Sequence, residues 1–236
     1  MEKLYVQGVL PFIFSTDEKI IRVSPSKNKK LCTDNIHLSN NMKRVGIYEL
    51  PEVKSYNGLI PRRLVPFCDR KGKKGFVHYY IDDYRFDVLW KRLGYYTKLL
   101  KRTHPYLIAP DYSQYADQSK ALNIFNLYKN RFVTAYWQQQ GLNVIPSASW
   151  GNADSFEYCF DGLPQNSVIF IGGLGIKHDN NCIKLWRYGI KELERQLHPT
   201  MILIYGNEVD PPAIDTPINC YESFLSKLRG GELWAA

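Results

Sequence analysis

The chain has 236 residues, of which 44% are hydrophobic and 23% charged, a composition typical of globular proteins that excludes a disordered or fibrous one. No apolar run approaches the roughly 20 residues of a membrane-spanning helix, and the N-terminal stretch lacks a signal-peptide pattern, so we expect a cytoplasmic protein without a membrane partner. Five widely spaced cysteines with no CxxC pair argue against a disulfide framework and indicate reduced thiols.

The net charge of +8 belongs entirely to the first third of the chain. Residues 1–75 contain 15 Lys and Arg against 7 Asp and Glu, whereas residues 76–236 contain 16 of each kind. Basic clusters of this sort attract phosphate-bearing partners. They also occur as solvated surfaces that only keep a protein soluble, and the sequence leaves both interpretations open.

Residues 1–75 carry prolines that interrupt every run, which predicts an irregular basic region packed on the core, although 44–50 and 62–69 have strand character. From residue 76 onward, short apolar strands alternate with long amphipathic helices. That alternation predicts an α/β domain over 76–230 with a mostly parallel sheet, followed by a frayed tail over 231–236. A doubly wound sheet and a partial or irregular barrel both fit the pattern.

Five strands are predicted in this domain, over residues 76–81, 106–109, 142–150, 167–175 and 201–208. The predicted helices cover residues 82–102, 119–140, 180–199 and 220–229. In the second of them, the spacing places Leu122, Phe125, Phe132 and Tyr136 on one apolar face.

The residues that follow the strands form the candidate site, because ligands of parallel sheets bind beyond the carboxyl ends of the strands. In chain order these candidates are Asp83, Asp111, Ser113, Ser149, Trp150, Gly173, Lys177 and Tyr205. Asp111, helped by Asp83, is predicted to supply a catalytic carboxylate for a proton or for a divalent metal such as magnesium. No motif identifies any other cofactor.

The remaining candidates are assigned to the ligand. Ser113, Ser149 and Tyr205 are expected to orient it and Trp150 to stack on it, while the loop of Gly173 and Lys177 is expected to receive phosphate.

Structural explanations compete with these roles. Asp83 is placed to cap the helix that follows it, and the Pro-Asp pair at Asp111 is also a turn signal. The glycines around Gly173 suit a tight turn, and Trp150 suits the closed end of a core.

Several stretches together resemble a known family: "VHYYIDD", "APDYSQY", "YKNRFVTAYWQQQGLNVIPSASWGN", "FDGLP" and "ILIYG". The resemblance spans residues 60–209 and is to a family described as a domain of unknown function, common in bacteriophages and integrated mobile elements. It implies a mobile-element origin and one α/β domain, and it carries over no activity. The residues to which it points are Pro110, Asp111, Ser113, Trp137, Gly141, Pro146, Trp150 and Gly206.

The leading hypothesis is a phage or mobile-element protein that binds or acts on a nucleotide or nucleic acid through the polar strand ends. The alternative is a non-enzymatic protein that binds a host or replication protein through tyrosines and tryptophans interleaved with basic residues. The sequence determines neither whether a bond is broken nor the oligomeric state.

Overall fold

The computed structural model describes residues 34–39 and 41–223. The basic segment "SPSKNKK" and the predicted tail over 231–236 lie outside these residues. Within the described part of the chain, no helix is long and apolar enough to cross a membrane.

The fold is α/β, as the sequence predicts, with a small hairpin before the main sheet. The hairpin pairs β1 (Arg44–Val45) with β2 (Leu50–Pro51) in antiparallel fashion. The main strands are β3 (Leu64–Pro66), β4 (Phe76–His78), β5 (Tyr106–Ile108), β6 (Asn143–Ile145), β7 (Ser147–Ala148), β8 (Val168–Gly172), β9 (Met201–Tyr205) and β10 (Ile218–Tyr221). The helices are α1 (Val88–Lys91), α2 (Leu93–Thr103), α3 (Lys120–Gln139) and α4 (Asn180–Leu197).

All main strands run parallel, and each pairs with its neighbour in chain order, in the two sets β3 to β6 and β7 to β10. Only Pro146 separates β6 from β7. The carbonyl of Ile145 accepts a hydrogen bond from the Ala109 N–H, and the carbonyl of Pro146 accepts one from the Phe170 N–H. The two sets therefore form one continuous sheet that is bent at Pro146.

The sheet is rolled, because one face of every long strand points to a shared interior. Alternate residues such as Phe170 and Leu203 join a cluster that contains side chains from every main strand except β7 and none from the helices. The intervening residues, such as Ile169 and Ile202, pack under the helices in two outer clusters. Helices on one face only and strands in chain order distinguish a partial barrel from a doubly wound sheet, in which the strand order reverses.

The barrel is incomplete between β3 and β10. These two strands are not paired with each other, and the hydroxyl of Tyr221 donates a hydrogen bond of 2.8 Å to the carbonyl of Pro61 across the opening. At the opposite end of the strands, Tyr56 belongs to the interior cluster, and its backbone N–H and carbonyl both bond to residues 167–168. The basic N-terminal third thus supplies β3 and part of the interior.

Several predicted elements differ from the structure. The helix over 82–102 is divided into a 3-10 turn, α1 and α2, and the strand over 142–150 is divided at Pro146. Cys220 and Tyr221, predicted to begin a closing helix, lie in β10. In α3, Leu122 and Phe125 are 41% and 40% exposed rather than part of the buried face. The physical reason is that the first half of α3 packs against a polar loop through asparagines, whereas Phe132 and Tyr136 in the second half pack in the core as predicted.

Gly189 on α4 allows the indole of Trp150 to approach the helix backbone. A Cβ added at Gly189 would lie 2.2 Å from the indole Cε2, which is far inside van der Waals contact. We expect Gly189→Ala to lower the free energy of unfolding by about 1–3 kcal/mol, the usual cost of overpacking.

The measurement is urea unfolding, and Gly94→Ala in α2 is the matched control. An added Cβ at Gly94 would meet no atom within 4 Å, so that substitution should stabilise the helix by about 0.4–1 kcal/mol. Equal effects of the two substitutions would contradict the packing argument.

Candidate functional site at the mouth of the barrel

Asp111 follows β5 at the carboxyl edge of the sheet, where its side chain lies between Tyr80 and Gly172. A Cβ added at Gly172 would lie 3.6 Å from Oδ2 of Asp111 and 3.1 Å from the Tyr80 ring. Because Gly172 ends β8 without a side chain, the carboxyl group and the phenol ring can both pack against that strand. The three residues bring together the ends of β4, β5 and β8.

The Asp111 carboxyl group is held near its titration point at neutral pH. Burial, and secondly the nearby carboxylate of Asp83, raise its pKa to about 7. The residue is densely surrounded by protein but keeps part of its surface open, and its carboxyl group makes no hydrogen bond with the described residues. A carboxyl group in this condition can both donate and accept a proton at neutral pH.

The side chain of Asp83 binds Ser113 instead of capping a helix. Its Oδ1 accepts a hydrogen bond of 3.0 Å from the Ser113 hydroxyl, and its Oδ2 accepts one of 3.2 Å from the Ser113 backbone N–H. The neighbouring Asp82 forms an ion pair with Arg85 at 3.1 Å and makes no capping bond either. Asp83, Asp111 and Ser113 are therefore brought together, as their positions at strand ends predicted.

A stripe of buried asparagines on α3 holds the loop that carries Asp111. Asn130 donates to the carbonyl of Pro110 at 2.6 Å, and Asn126 donates to the carbonyl of Ser113 at 2.7 Å. Asn123 pairs with both backbone groups of Tyr115. The reasoning from sequence missed these residues, although their spacing of three and then four residues would place them on one face of a helix.

Arg131 lies beside this stripe and is completely buried. Its guanidinium donates to the carbonyls of Cys159 at 2.6 Å, Asp161 at 3.0 Å and Ser147 at 3.2 Å, and also to the side chain of Asn130. Burial lowers its pKa to about 10, which leaves it charged at neutral pH. Arg131 thus ties α3 to the bent strand and to the segment that follows it.

The hydroxyl of Tyr80 is buried and has no hydrogen bond of good geometry among the described residues. Ser147 and the Asp111 carboxyl group lie close enough to affect its ionisation, but burial dominates and raises the pKa of Tyr80 well above 10. The hydroxyl therefore keeps its proton and is available as a hydrogen-bond donor. A buried polar group without a partner is a common feature of a ligand site.

His78 and Tyr205 extend the site along the interior of the barrel. Their ring centroids lie 4.5 Å apart, and the Tyr205 ring is 5.4 Å from that of Tyr80. Burial lowers the pKa of His78 to about 3, so the imidazole is neutral. Its Nδ1 lies 3.3 Å from the Tyr80 backbone N–H and accepts from it, which places the imidazole proton on Nε2.

Lys129 on α3 is another residue near the site that the sequence pattern did not predict. Its Nζ lies 4.2 Å from the centroid of the Tyr112 ring. Burial lowers the pKa of Lys129, while the carboxylates of Asp83 and Asp87 act in the opposite direction. The ammonium group therefore balances part of the negative charge around Asp83.

The remaining residues that were predicted to bind the ligand lie apart from the group around Asp111. The indole of Trp150 packs against Phe156 and Phe160 under α4, and Ser149 is half-buried after β7. The backbone N–H of Gly173 donates to the Tyr205 carbonyl, and Lys177 forms a 3.0 Å ion pair with Glu208.

The N-terminus of α4 also has an internal partner, because Asp179 accepts a hydrogen bond from the backbone N–H of Asn181. Several donors of the expected phosphate loop are thus already used within the chain. Among the residues that the structure describes, no group of three or more His, Cys, Asp or Glu side chains is arranged to hold a metal ion.

Comparison with known proteins agrees with the resemblance. Residues 42–222 match the family described as "Domain of unknown function (DUF4417)". The chain is 32% identical over 203 residues to the Gene 1 protein of Mycobacterium phage L5, covering 83% of this chain and 88% of that protein. It is 30% identical over 181 residues to the Gene 1 protein of Mycobacterium phage D29, covering 73% of this chain and 66% of that protein.

No solved structure matches the chain significantly. The family match extends from the hairpin to the residue after β10, so it includes every strand described above. The chain therefore belongs to the DUF4417 family, which has bacteriophage members.

Proposed function

We propose that this protein binds a nucleotide or a nucleic acid at the mouth of the barrel, with Asp111 as the carboxyl group that contacts the ligand. The observation that carries the proposal is the Asp111 carboxyl group itself. It is partly open to solvent, has no hydrogen-bond partner among the described residues and has a pKa of about 7 at the edge of the sheet where α/β proteins bind ligands.

The surroundings of Asp111 supply the other groups that a nucleotide requires. The Tyr80 hydroxyl is a buried donor that makes no hydrogen bond of good geometry within the described part of the chain, and the rings of His78 and Tyr205 offer apolar faces to a base or sugar. The Ser113 hydroxyl is held by Asp83 at the same edge. Together these groups would orient a ligand hydroxyl toward Asp111, which would exchange a proton with it if the protein is an enzyme.

The positive charge of the first third supports an anionic ligand. In the described segments on either side of β3, Arg62, Arg63, Lys71 and Lys74 form no ion pair. Cations without acidic partners attract the phosphates of nucleotides and nucleic acids over a long range.

A second candidate is an interaction protein that binds a host or replication protein without catalysis. The observation that favours it is the exposure of Leu122 and Phe125, which lie one helical turn apart on α3. Apolar side chains that are exposed next to each other are a common feature of protein interfaces. In this case the Asp111 site would not be needed for the protein's binding activity.

The two candidates differ in the response to Asp111→Asn, measured by fluorescence anisotropy with labelled single- and double-stranded DNA and by thermal shift with nucleotides. We expect the wild type to bind with an affinity that falls steeply as salt rises, and Asp111→Asn to bind at least about tenfold more weakly. The matched control is Asp215→Asn, because Asp215 is exposed on the connection before β10.

Asp215→Asn should bind as the wild type does. If Asp111→Asn folds and binds equally well, Asp111 is not part of the site. If the wild type binds neither nucleotides nor DNA at low salt, the first candidate is wrong and the interaction protein is favoured.

A further inference from the structure

A cavity of about 230 Å³ opens at the gap between β3 and β10, beside the candidate site. The basic side chains in its wall are Arg62, Arg63 and Lys73, and its aromatic side chains are His78, Tyr205 and Tyr221. The cavity exists because the barrel does not close at this point. In a closed barrel, pairing of β3 with β10 would fill this space with side chains.

The charges in the cavity wall favour an anion. Lys73 is paired with Asp69, whereas Arg62 and Arg63 form no ion pair with the described residues. Glu222 is the other acidic residue of the wall, so three cations face two carboxylates. Arg62 and Arg63 are adjacent in the chain, and a guanidinium group that forms no ion pair with the described residues can bind a phosphate through charge-assisted hydrogen bonds.

The aromatic part of the wall consists of uncharged rings. The His78 ring is neutral with its proton on Nε2, and its centroid lies 4.5 Å from that of Tyr205. The Tyr221 ring is stacked on Phe170 at 5.8 Å, and its hydroxyl is bound to the Pro61 carbonyl, which holds the ring in place. Rigid aromatic walls of this kind suit a nucleobase, since every base has a π-face that can stack.

A chain of contacts between aromatic rings links the cavity wall to Asp111. Tyr205 lies against His78 in the cavity wall and also against Tyr80, at 5.4 Å, and Tyr80 in turn interacts with Asp111. Two packed rings therefore connect the cavity to the Asp111 carboxyl group. At about 230 Å³ the cavity is smaller than the roughly 300–1,000 Å³ of typical small-molecule pockets, so it would hold at most one nucleotide unit and not a duplex.

We propose that this cavity binds a single nucleotide unit, with Arg62 and Arg63 on its phosphate and its base against His78 and Tyr205. This inference rests on the proposed function, and it names the ligand class and the residues that select it. The unit is either a free nucleoside monophosphate or the phosphorylated end of a single strand, which share the same chemistry.

The test is titration calorimetry with a deoxynucleoside monophosphate, the matching nucleoside, inorganic phosphate, and short single-stranded oligonucleotides with and without a 5′-phosphate. We expect the double variant Arg62→Gln/Arg63→Gln to bind the monophosphate roughly tenfold more weakly and the nucleoside unchanged. The matched control is Lys71→Gln/Lys74→Gln, which removes two exposed charges from the same segment outside the cavity wall. Its effect should be less than about threefold, because only long-range attraction is lost.

A free nucleotide as ligand is indicated if the monophosphate binds more tightly than the phosphorylated oligonucleotide, and a strand end if the order is reversed. Equal affinities for inorganic phosphate and the monophosphate would overturn the role of the aromatic wall. If the arginine variant binds the monophosphate as the wild type does while Asp111→Asn loses it, the cavity assignment is wrong and the proposed function stands. If the wild type binds none of these ligands, both are wrong.

Discussion

Replacing Arg131 by methionine is expected to lower the free energy of unfolding by about 3–5 kcal/mol, the cost of breaking a fully buried charged network. Methionine matches the aliphatic length of arginine and removes all of its donors. The carbonyls of Cys159, Asp161 and Ser147 would then be left without the bonds that they accept from the guanidinium group. Unsatisfied buried acceptors account for most of the expected loss.

The effect is measured by urea denaturation followed by circular dichroism. Arg195→Met is the matched control, because Arg195 is 67% exposed at its side chain and pairs with Glu192 on the surface of α4. That substitution should cost less than about 1 kcal/mol. Arg131→Lys should fall between the two, since it retains the charge with fewer donors, and it keeps the test usable if Arg131→Met does not fold.

A cost of less than about 1 kcal/mol for Arg131→Met would mean that the surrounding carbonyls find other partners or water. The network also positions the site, because Arg131 bonds to Asn130, whose amide holds the Pro110 carbonyl next to Asp111. Arg131→Met should therefore also weaken the nucleotide binding that we propose for Asp111, even in the fraction of molecules that remain folded.

The second large effect expected is a pH dependence of stability that Asp111 imposes. Its pKa of about 7 in the folded protein lies above the ordinary value of about 3.9 that applies to the unfolded chain. Between these values the unfolded chain has lost a proton that the folded protein retains. The contribution of Asp111 to the free energy of unfolding must therefore fall as pH rises from about 4 to about 7, and level off above that.

The difference between the two pKa values limits this loss of unfolding free energy to about 4 kcal/mol. Because Asp111 is partly exposed, we expect a loss of roughly 2–4 kcal/mol. Asp111→Asn has no carboxyl group to titrate. We expect the variant to gain that amount of stability relative to the wild type between low and neutral pH. Urea denaturation of both proteins at a series of pH values measures the difference.

Other titrating groups cancel in this comparison. His78, with a pKa near 3 in the folded protein, adds stability as pH rises toward 6.5, but it does so in the wild type and the variant alike. Asp215→Asn should follow the wild-type curve at every pH. Parallel curves for the wild type and Asp111→Asn would show that Asp111 titrates in the folded protein with its ordinary pKa, which would contradict a raised pKa.

The alternation of apolar runs and amphipathic helices predicted the α/β class correctly, along with the approximate positions of β4, β5, β6, β8 and β9. Each of these strands is a short apolar run buried on both faces, and such runs are recognisable without tertiary information. β3 and β10 are harder to predict from the sequence, because β3 lies among prolines and β10 is an edge strand with exposed residues. Edge strands bury little and leave a weak pattern.

The candidate site was predicted in part. A carboxylate directly after an apolar strand, as at Asp111, is visible in the sequence because parallel strands end at one edge. The partners of that carboxylate are not visible in this way, since Tyr80, Gly172 and Asn130 come from three other elements. Lys129 and Arg131 were overlooked because a charged residue in an amphipathic helix is normally assigned to the solvent face.

By itself, the sequence determined a parallel α/β chain with Asp111 at a strand end and the excess positive charge in the first third. Tertiary structure alone decided that the sheet rolls into a partial barrel, because an open sheet and a rolled one bury the same apolar runs. It also decided that Trp150 packs under α4 and that asparagines, and not Leu122 and Phe125, face the core side of α3. Those outcomes depend on which surfaces meet across the fold, and residue spacing along one element does not contain that information.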